Sequence, residues 1–146
     1  MMVVSRGIVS AAVLAGWLTV GSAATASAAP AMSGHYVSSV TSTSGEVTSS
    51  DWYFTPCGDG CASVSGTPGG PPFGEARMFD GQWTLAWHSD AFCPSGTRVP
   101  GAYASYATWD PNTLTGKNES GITKPICGSD KGLPRVIQHL ELTQVG

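Results

Sequence analysis

The residues with the clearest chemistry in this chain are its four cysteines, Cys57, Cys61, Cys93 and Cys127. Zinc sites usually take cysteine pairs that are separated by two to four residues, and only Cys57 and Cys61 meet that spacing. The other two stand alone, with no histidine beside either. An even cysteine count in an exported chain is typical of disulfides. We therefore predict two disulfide bonds, with a metal site as the alternative.

Four cysteines allow three pairings, and the sequence alone does not choose among them. The segment Cys57–Cys61 (CGDGC) is typical of a tight turn whose ends come close, which favours a Cys57–Cys61 bridge and a Cys93–Cys127 bridge. The longer bridge would close a loop of about 35 residues, for roughly 3–4 kcal/mol on a chain-entropy estimate, against about 2 kcal/mol for the shorter one.

Residues for catalysis are not arranged in any recognisable pattern. The chain contains no G-x-S-x-G nucleophile turn. Its three histidines, His35, His88 and His139, form no H-x-x-x-H or H-E-x-x-H pattern. We therefore predict no catalytic residue, no metal and no cofactor, and we interpret the protein as non-enzymatic.

Four tryptophans follow residue 50 and are the strongest indication of binding. Each aromatic side chain buries roughly 150–250 Å², so filling the core is one interpretation. The alternative is that some of these rings line the mouth of a cavity and stack on an apolar ligand. The candidate ligand-lining residues are Trp52, Trp83, Trp87 and Trp109.

The first 28 residues have the three parts of a secretory signal. Arg6 precedes an uncharged apolar stretch, Gly7–Val20, which is shorter than the ~20 residues that a membrane-spanning helix needs. Small residues follow and predict cleavage between Ala28 and Ala29. We expect a signal over residues 1–28, one domain over residues 29–146, and a secreted or extracytoplasmic protein without a stable membrane anchor.

The charge of the expected mature chain excludes one class of partner. Without Arg6, six basic residues face ten acidic ones, which gives a net charge of −4. Non-specific nucleic-acid binding and attraction to anionic membranes both need a basic surface. We therefore expect no nucleic-acid partner.

Short alternating segments between turn residues predict an antiparallel β structure. In Gln82–Ser89, Trp83, Leu85 and Trp87 share one face. Asp80-Gly81 just before it supplies the positive φ angles of a two-residue hairpin turn. A second hairpin is expected around the Cys57–Cys61 turn.

Further strands are predicted elsewhere along the chain. They cover His35–Thr43, Ala102–Trp109, Thr115–Ile122 and Val136–Thr143. The Gly- and Pro-rich segment Gly66–Gly74 is expected to be a mobile surface loop. Seven or eight strands with short connections favour a small up-and-down barrel, with a two-layer sandwich as the alternative.

Two sequence runs carry a family resemblance. The runs Trp52–Cys61 (WYFTPCGDGC) and Trp109–Gly116 (WDPNTLTG) resemble those of small secreted proteins of mycobacteria and related actinobacteria. More loosely, they are similar to extracytoplasmic domains of some actinobacterial Ser/Thr kinases. The resemblance implies a disulfide-bonded extracytoplasmic β domain and transfers no catalytic residue.

Together these features predict a binding or sensing module for a small apolar or envelope-derived molecule. The first alternative is a protein–protein interaction module, such as a secreted inhibitor or a host-facing surface protein, with Gly66–Gly74 as its contact loop. The second alternative is a hydrolase of unrecognised type.

Overall fold

The computed structural model describes residues 30–129 and 135–146, which form a closed antiparallel barrel of eight strands. The strands are β1 (Gly34–Thr41), β2 (Val47–Gly58), β3 (Cys61–Ser65), β4 (Pro72–Phe79), β5 (Gln82–Phe92), β6 (Arg98–Trp109), β7 (Thr115–Ile122) and β8 (Val136–Gln144). Each strand pairs with its neighbours in sequence, and β8 pairs with β1. The up-and-down barrel is therefore confirmed over the sandwich.

The predicted signal over residues 1–28 and its cleavage site at Ala28 and Ala29 lie outside the described residues, which begin at Pro30. Within the described ranges no helix is long and apolar enough to cross a membrane.

Both predicted hairpins are present. The turn between β4 and β5 consists of Asp80 and Gly81, with φ angles of 50° and 77°, and Phe79 pairs directly with Gln82. Positive φ at both central residues gives a two-residue turn the same twist as its flanking strands. The β2–β3 hairpin turns at Asp59 and Gly60, where Gly58 pairs with Cys61.

The alternating order of the strands gives the barrel two different ends. The closed end carries two-residue turns at 59–60 and 80–81 and a five-residue turn at 110–114, and the chain enters it just before β1. The open end carries the connections 42–46, 66–71, 93–97 and 123–135, of which residues 130–134 are not described.

Large apolar side chains fill the barrel from the closed end upward. The inward-facing residues there are almost completely buried: Tyr36, Phe54, Val64, Trp83, Leu85, Trp109, Leu140 and Leu142. Trp83 stacks on Trp109 at 6.4 Å between ring centroids, and Phe54 packs edge-on against Trp109 at 6.1 Å. An eight-stranded barrel has an interior just wide enough for side chains to fill, as this end is.

Both predicted disulfides are confirmed. Cys57–Cys61 spans the β2–β3 turn at the closed end. Cys93–Cys127 joins the β5–β6 connection to the segment after β7 at the open end. Each bridge therefore holds one end of the barrel.

The prediction of a loop over Gly66–Gly74 is wrong for its last three residues, because β4 begins at Pro72. A proline is tolerated as the first residue of a strand, where its missing N–H costs least. The β3–β4 register shifts between Val64 and Ser65, so that Gly74 pairs with Val64 and Pro72 with Ser65. This shift places the Phe73 ring against Trp52 and Trp87, and that apolar contact favours strand over loop.

Candidate functional site

A cleft of about 440 Å³ opens at the open end of the barrel, above the filled core. Its lining comes from β1, β2, β4 and β5 and from the connection between β3 and β4. The lining residues are Ser38, Val40, Ser50, Asp51, Trp52, Gly66, Phe73, Trp87, His88 and Ser89. Apolar concave surfaces with a few polar groups are typical of small-molecule sites.

Three aromatic rings form the apolar part of this cleft. Trp52 lies 5.6 Å from Trp87 and 6.1 Å from Phe73, and Phe73 lies 5.9 Å from Trp87, all as ring-centroid distances. All three contacts are edge-to-face, which suits the quadrupoles of the rings. Trp52 is buried and also contacts the core residue Trp109, whereas Phe73 and Trp87 are only half-buried. The cleft is therefore the exposed top of the core.

Two serines form the polar part. Ser38 on β1 and Ser50 on β2 are directly opposite each other in the strand register. Ser38 is 1% exposed, and its Oγ has no hydrogen-bond partner. Ser50 is exposed. Since residues two apart in a strand share a face, Ser38 faces inward with Tyr36 and Val40.

The two ionisable lining residues, Asp51 and His88, are exposed and lie on the outward faces of β2 and β5. Asp51 Oδ1 lies 2.7 Å from Nε2 of His35, whose ring stacks on Tyr53 at 4.4 Å. No lysine or arginine is found among the residues that line the cleft. The cleft therefore offers aromatic faces and neutral hydroxyls, with the carboxylate of Asp51 and the imidazole of His88 at its rim.

The carboxyls with clearly lowered pKa values have structural partners. The Gly101 N–H donates to Asp90 at 2.8 Å, and Arg98 Nε donates to it at 2.6 Å, which together hold the pKa of Asp90 below its usual range. Backbone N–H groups of Thr113 and Asn112 lower the pKa of Asp110 in the same way. Neither residue lines the cleft, so these pKa shifts reflect contacts that hold the loops and strands of the barrel and not the chemistry of the cleft.

The cysteines do not contribute thiolates. All four are bridged, so the described chain has no free cysteine. The sulfur atoms of Cys57 and Cys61 and a carboxylate oxygen of Glu75 lie within 4.8 Å of one another. Thiolates, and not disulfide sulfurs, are the metal ligands, so this cluster does not hold a metal while the bridge is closed.

The four candidate tryptophans separate into two pairs. Trp52 and Trp87 lie in the cleft, while Trp83 and Trp109, at 1% and 0% exposure, belong to the filled core. The core-filling interpretation therefore describes Trp83 and Trp109. Ligand lining stays a prediction for Trp52 and Trp87.

The sequence interpretation missed Ser38 and Phe73. Ser38 is one of many serines in an ordinary strand, so its type and spacing carry no signal. Phe73 lies in a Gly- and Pro-rich run that resembles a loop. The signal for Phe73 was its single large apolar ring among small residues.

Comparison of the chain with protein-family models, with curated proteins and with solved structures finds no match.

Proposed function

We propose that this protein is a non-enzymatic binding module that holds a small apolar ligand in the cleft at the open end of the barrel. The observation that carries the proposal is the pair of half-buried rings, Phe73 and Trp87, which face a concave surface of about 440 Å³. A ligand that covers apolar surface at a concave site removes it from water, and this burial favours binding.

The filled interior determines where the ligand sits. Trp83, Trp109 and Leu85 occupy the barrel below the cleft with no more than 1% exposure. A deep internal chamber would require these side chains to move, at a cost of several kcal/mol in lost packing. The proposed ligand is therefore held at the mouth, against Trp87 and Phe73, and not inside the barrel.

We place this function in an oxidising, extracytoplasmic compartment. Two disulfides in a barrel of this size are typical of such an environment. Secretion through the predicted N-terminal signal is part of the proposal, as is the sensing role that the resemblance to kinase extracytoplasmic domains implies.

The test is a titration of the purified mature protein with N-phenyl-1-naphthylamine, a neutral dye that emits strongly in apolar surroundings. We expect saturable binding by the native chain and an affinity about tenfold lower for Trp87→Ala, because an aromatic contact is lost. Phe79→Ala is the matched control, since Phe79 is a ring that is 73% exposed at the closed end.

Two results would overturn the proposal. One is the absence of saturable dye binding to the native chain. The other is an equal loss of affinity in Trp87→Ala and Phe79→Ala, which would show that the dye binds exposed rings without regard to the cleft.

A further inference from the structure

We infer that the ligand of the cleft is a neutral ring compound with a hydroxyl or carbonyl group on one edge, and that Ser38 binds this group. The inference rests on the proposed function and names the chemical class that the site takes. It is carried by Ser38, a residue of the cleft lining whose hydroxyl is buried and has no hydrogen-bond partner.

Ser38 differs from the other buried polar groups. In the described part of the chain, four buried side-chain atoms have no hydrogen-bond partner: Ser38 Oγ, Trp83 Nε1, Trp109 Nε1 and Asn118 Oδ1. Only Ser38 among them lines the cleft. A buried hydroxyl without a partner destabilises the ligand-free protein, and a ligand that forms a hydrogen bond with it removes this destabilisation. The site therefore favours a ligand that reaches Ser38 with a polar group.

The arrangement of the walls determines the shape of the ligand. Ser38 and Ser50 lie on the β1–β2 side, and Phe73 and Trp87 lie on the β4–β5 side. A flat ring system can cover the aromatic side with its face or edge while its polar edge meets the serines. A flexible chain would lose more conformational entropy for the same contacts.

The charges of the cleft indicate that the polar group is neutral. Its lining contains no lysine or arginine, the imidazole of His88 is exposed on the outward face of β5, and the carboxylate of Asp51 at its rim would repel an anion. A carboxylate or phosphate would therefore lose its hydration without gaining a cation. A hydroxyl needs only the donor and acceptor that a serine offers.

Discrimination should come from the hydrogen bond that only a ligand with the polar group forms. The hydroxyl of Ser38 is already buried and unpaired without a ligand, so a wholly apolar ligand leaves its state unchanged. A ligand that supplies the missing partner adds the free energy of this hydrogen bond to that of the apolar contacts.

The experiment compares 2-naphthol with 2-methylnaphthalene, which has a methyl group in place of the hydroxyl. Each compound displaces N-phenyl-1-naphthylamine from the native chain, from Ser38→Ala and from Ser39→Ala. Ser39 is the matched control, because it neighbours Ser38 but faces outward and bonds to Ser49 at 3.2 Å. We expect the native chain and Ser39→Ala to prefer 2-naphthol by about three- to tenfold, and Ser38→Ala to lose that preference.

Folding of the variant is checked by thermal unfolding. Ser38→Ala removes an unpaired buried hydroxyl, so its unfolding temperature should equal or exceed that of the native chain. Ser38→Thr keeps the hydroxyl and should keep part of the preference for 2-naphthol. This second variant separates loss of the hydroxyl from a general change in the cleft.

The outcomes separate the two proposals. Equal binding of the two naphthalenes to the native chain, or a preference that persists in Ser38→Ala, overturns the role of Ser38 while the cleft remains a binding site. Failure of the dye and both compounds to bind the native chain overturns the proposed function and this inference with it.

Discussion

The two ends of this barrel follow the same alternation of inward and outward residues but differ in the inward residues. At the closed end these are bulky and apolar, and Trp83 and Trp109 fit together with almost no exposed surface. At the open end Phe73 and Trp87 are half-buried and share the cleft with the buried Ser38 and the exposed Ser50. From this difference we expect most of the stability to come from the closed end, while the proposed binding takes place at the open end.

The connections follow the same division. Two of the three turns at the closed end are two residues long, whereas each connection at the open end has five residues or more. Short turns fix the strand register at the closed end. Longer connections leave room for a cleft, and the Cys93–Cys127 bridge limits the freedom that they would otherwise have.

The largest expected effect tests whether the closed end carries the stability. Trp109→Ala removes a ring with 0% exposure and should lower the free energy of unfolding by about 3–5 kcal/mol. Trp87→Ala removes a half-buried ring and should cost less than half as much, while it weakens dye binding. Urea unfolding measures both variants.

A larger loss of unfolding free energy in Trp87→Ala than in Trp109→Ala would contradict the idea that the closed end supplies most of the stability. Equal m-values in the two variants would show that the comparison concerns the folded state and not the compactness of the unfolded chain.

The disulfides give the next largest effect. Replacing Cys93 and Cys127 together with alanine opens a bridge of sequence separation 34 and should cost about 3–4 kcal/mol. Replacing Cys57 and Cys61 opens a bridge of separation 4 and should cost about 2 kcal/mol. Chemical unfolding of the two double variants measures the difference, and a larger cost for the shorter bridge would show that strain or packing outweighs chain entropy.

The sequence predicted the fold where the determinants are local. Asp80-Gly81 specifies its own hairpin, and the alternation of Trp83 and Leu85 with polar residues specifies a strand face. The pairing of β8 with β1, which closes the barrel, depends on residues about 100 apart in sequence. In the sequence, only the short connections between strands favour this closure, so a two-layer sandwich remains an alternative at that level.

The cleft was predictable only in part, for a related reason. Large aromatic residues are recognisable from their type alone, so the sequence already identifies Trp52 and Trp87 as candidates. Ser38 became distinct only through burial and the absence of a partner, which are properties of three-dimensional packing. Phe73 required the register shift between β3 and β4, which is not encoded in a local pattern.

Two glycines of β7 provide a third, smaller test. At Gly116, toward the closed end, an added Cβ would lie 1.8 Å from the Thr108 carbonyl oxygen, so the backbone must move. Gly116→Ala should cost at least about 1–3 kcal/mol. Gly121, toward the open end, has nothing within 4 Å of an added Cβ, so Gly121→Ala should be neutral or slightly stabilising. Unfolding temperatures check both, and equal losses would show that close backbone approach is not specific to the closed end.

The smallest expected effect compares a carboxyl from each end in acid. The Gly101 N–H and Arg98 lower the pKa of Asp90 near the open end, and the N–H groups of Thr113 and Asn112 lower that of Asp110 at the closed end. A carboxyl whose pKa is lower in the folded state stabilises the fold above its unfolded-state pKa of about 3.9. This contribution is lost as the pH falls through the lower, folded-state value.

Salt distinguishes the two carboxyls. Asp90 interacts with the charges of Arg98 and Lys124, which salt screens. Asp110 is held by the backbone N–H groups of Thr113 and Asn112 and by the Thr113 side chain, which are all uncharged. The difference in unfolding temperature between the native chain and Asp90→Asn at neutral pH should therefore shrink at high salt. The difference for Asp110→Asn should change less, and both differences should fall toward zero as the pH falls through the lowered, folded-state pKa of each carboxyl. An equal salt response of the two variants would mean that Asp90 is held by the Gly101 N–H and not by its cations.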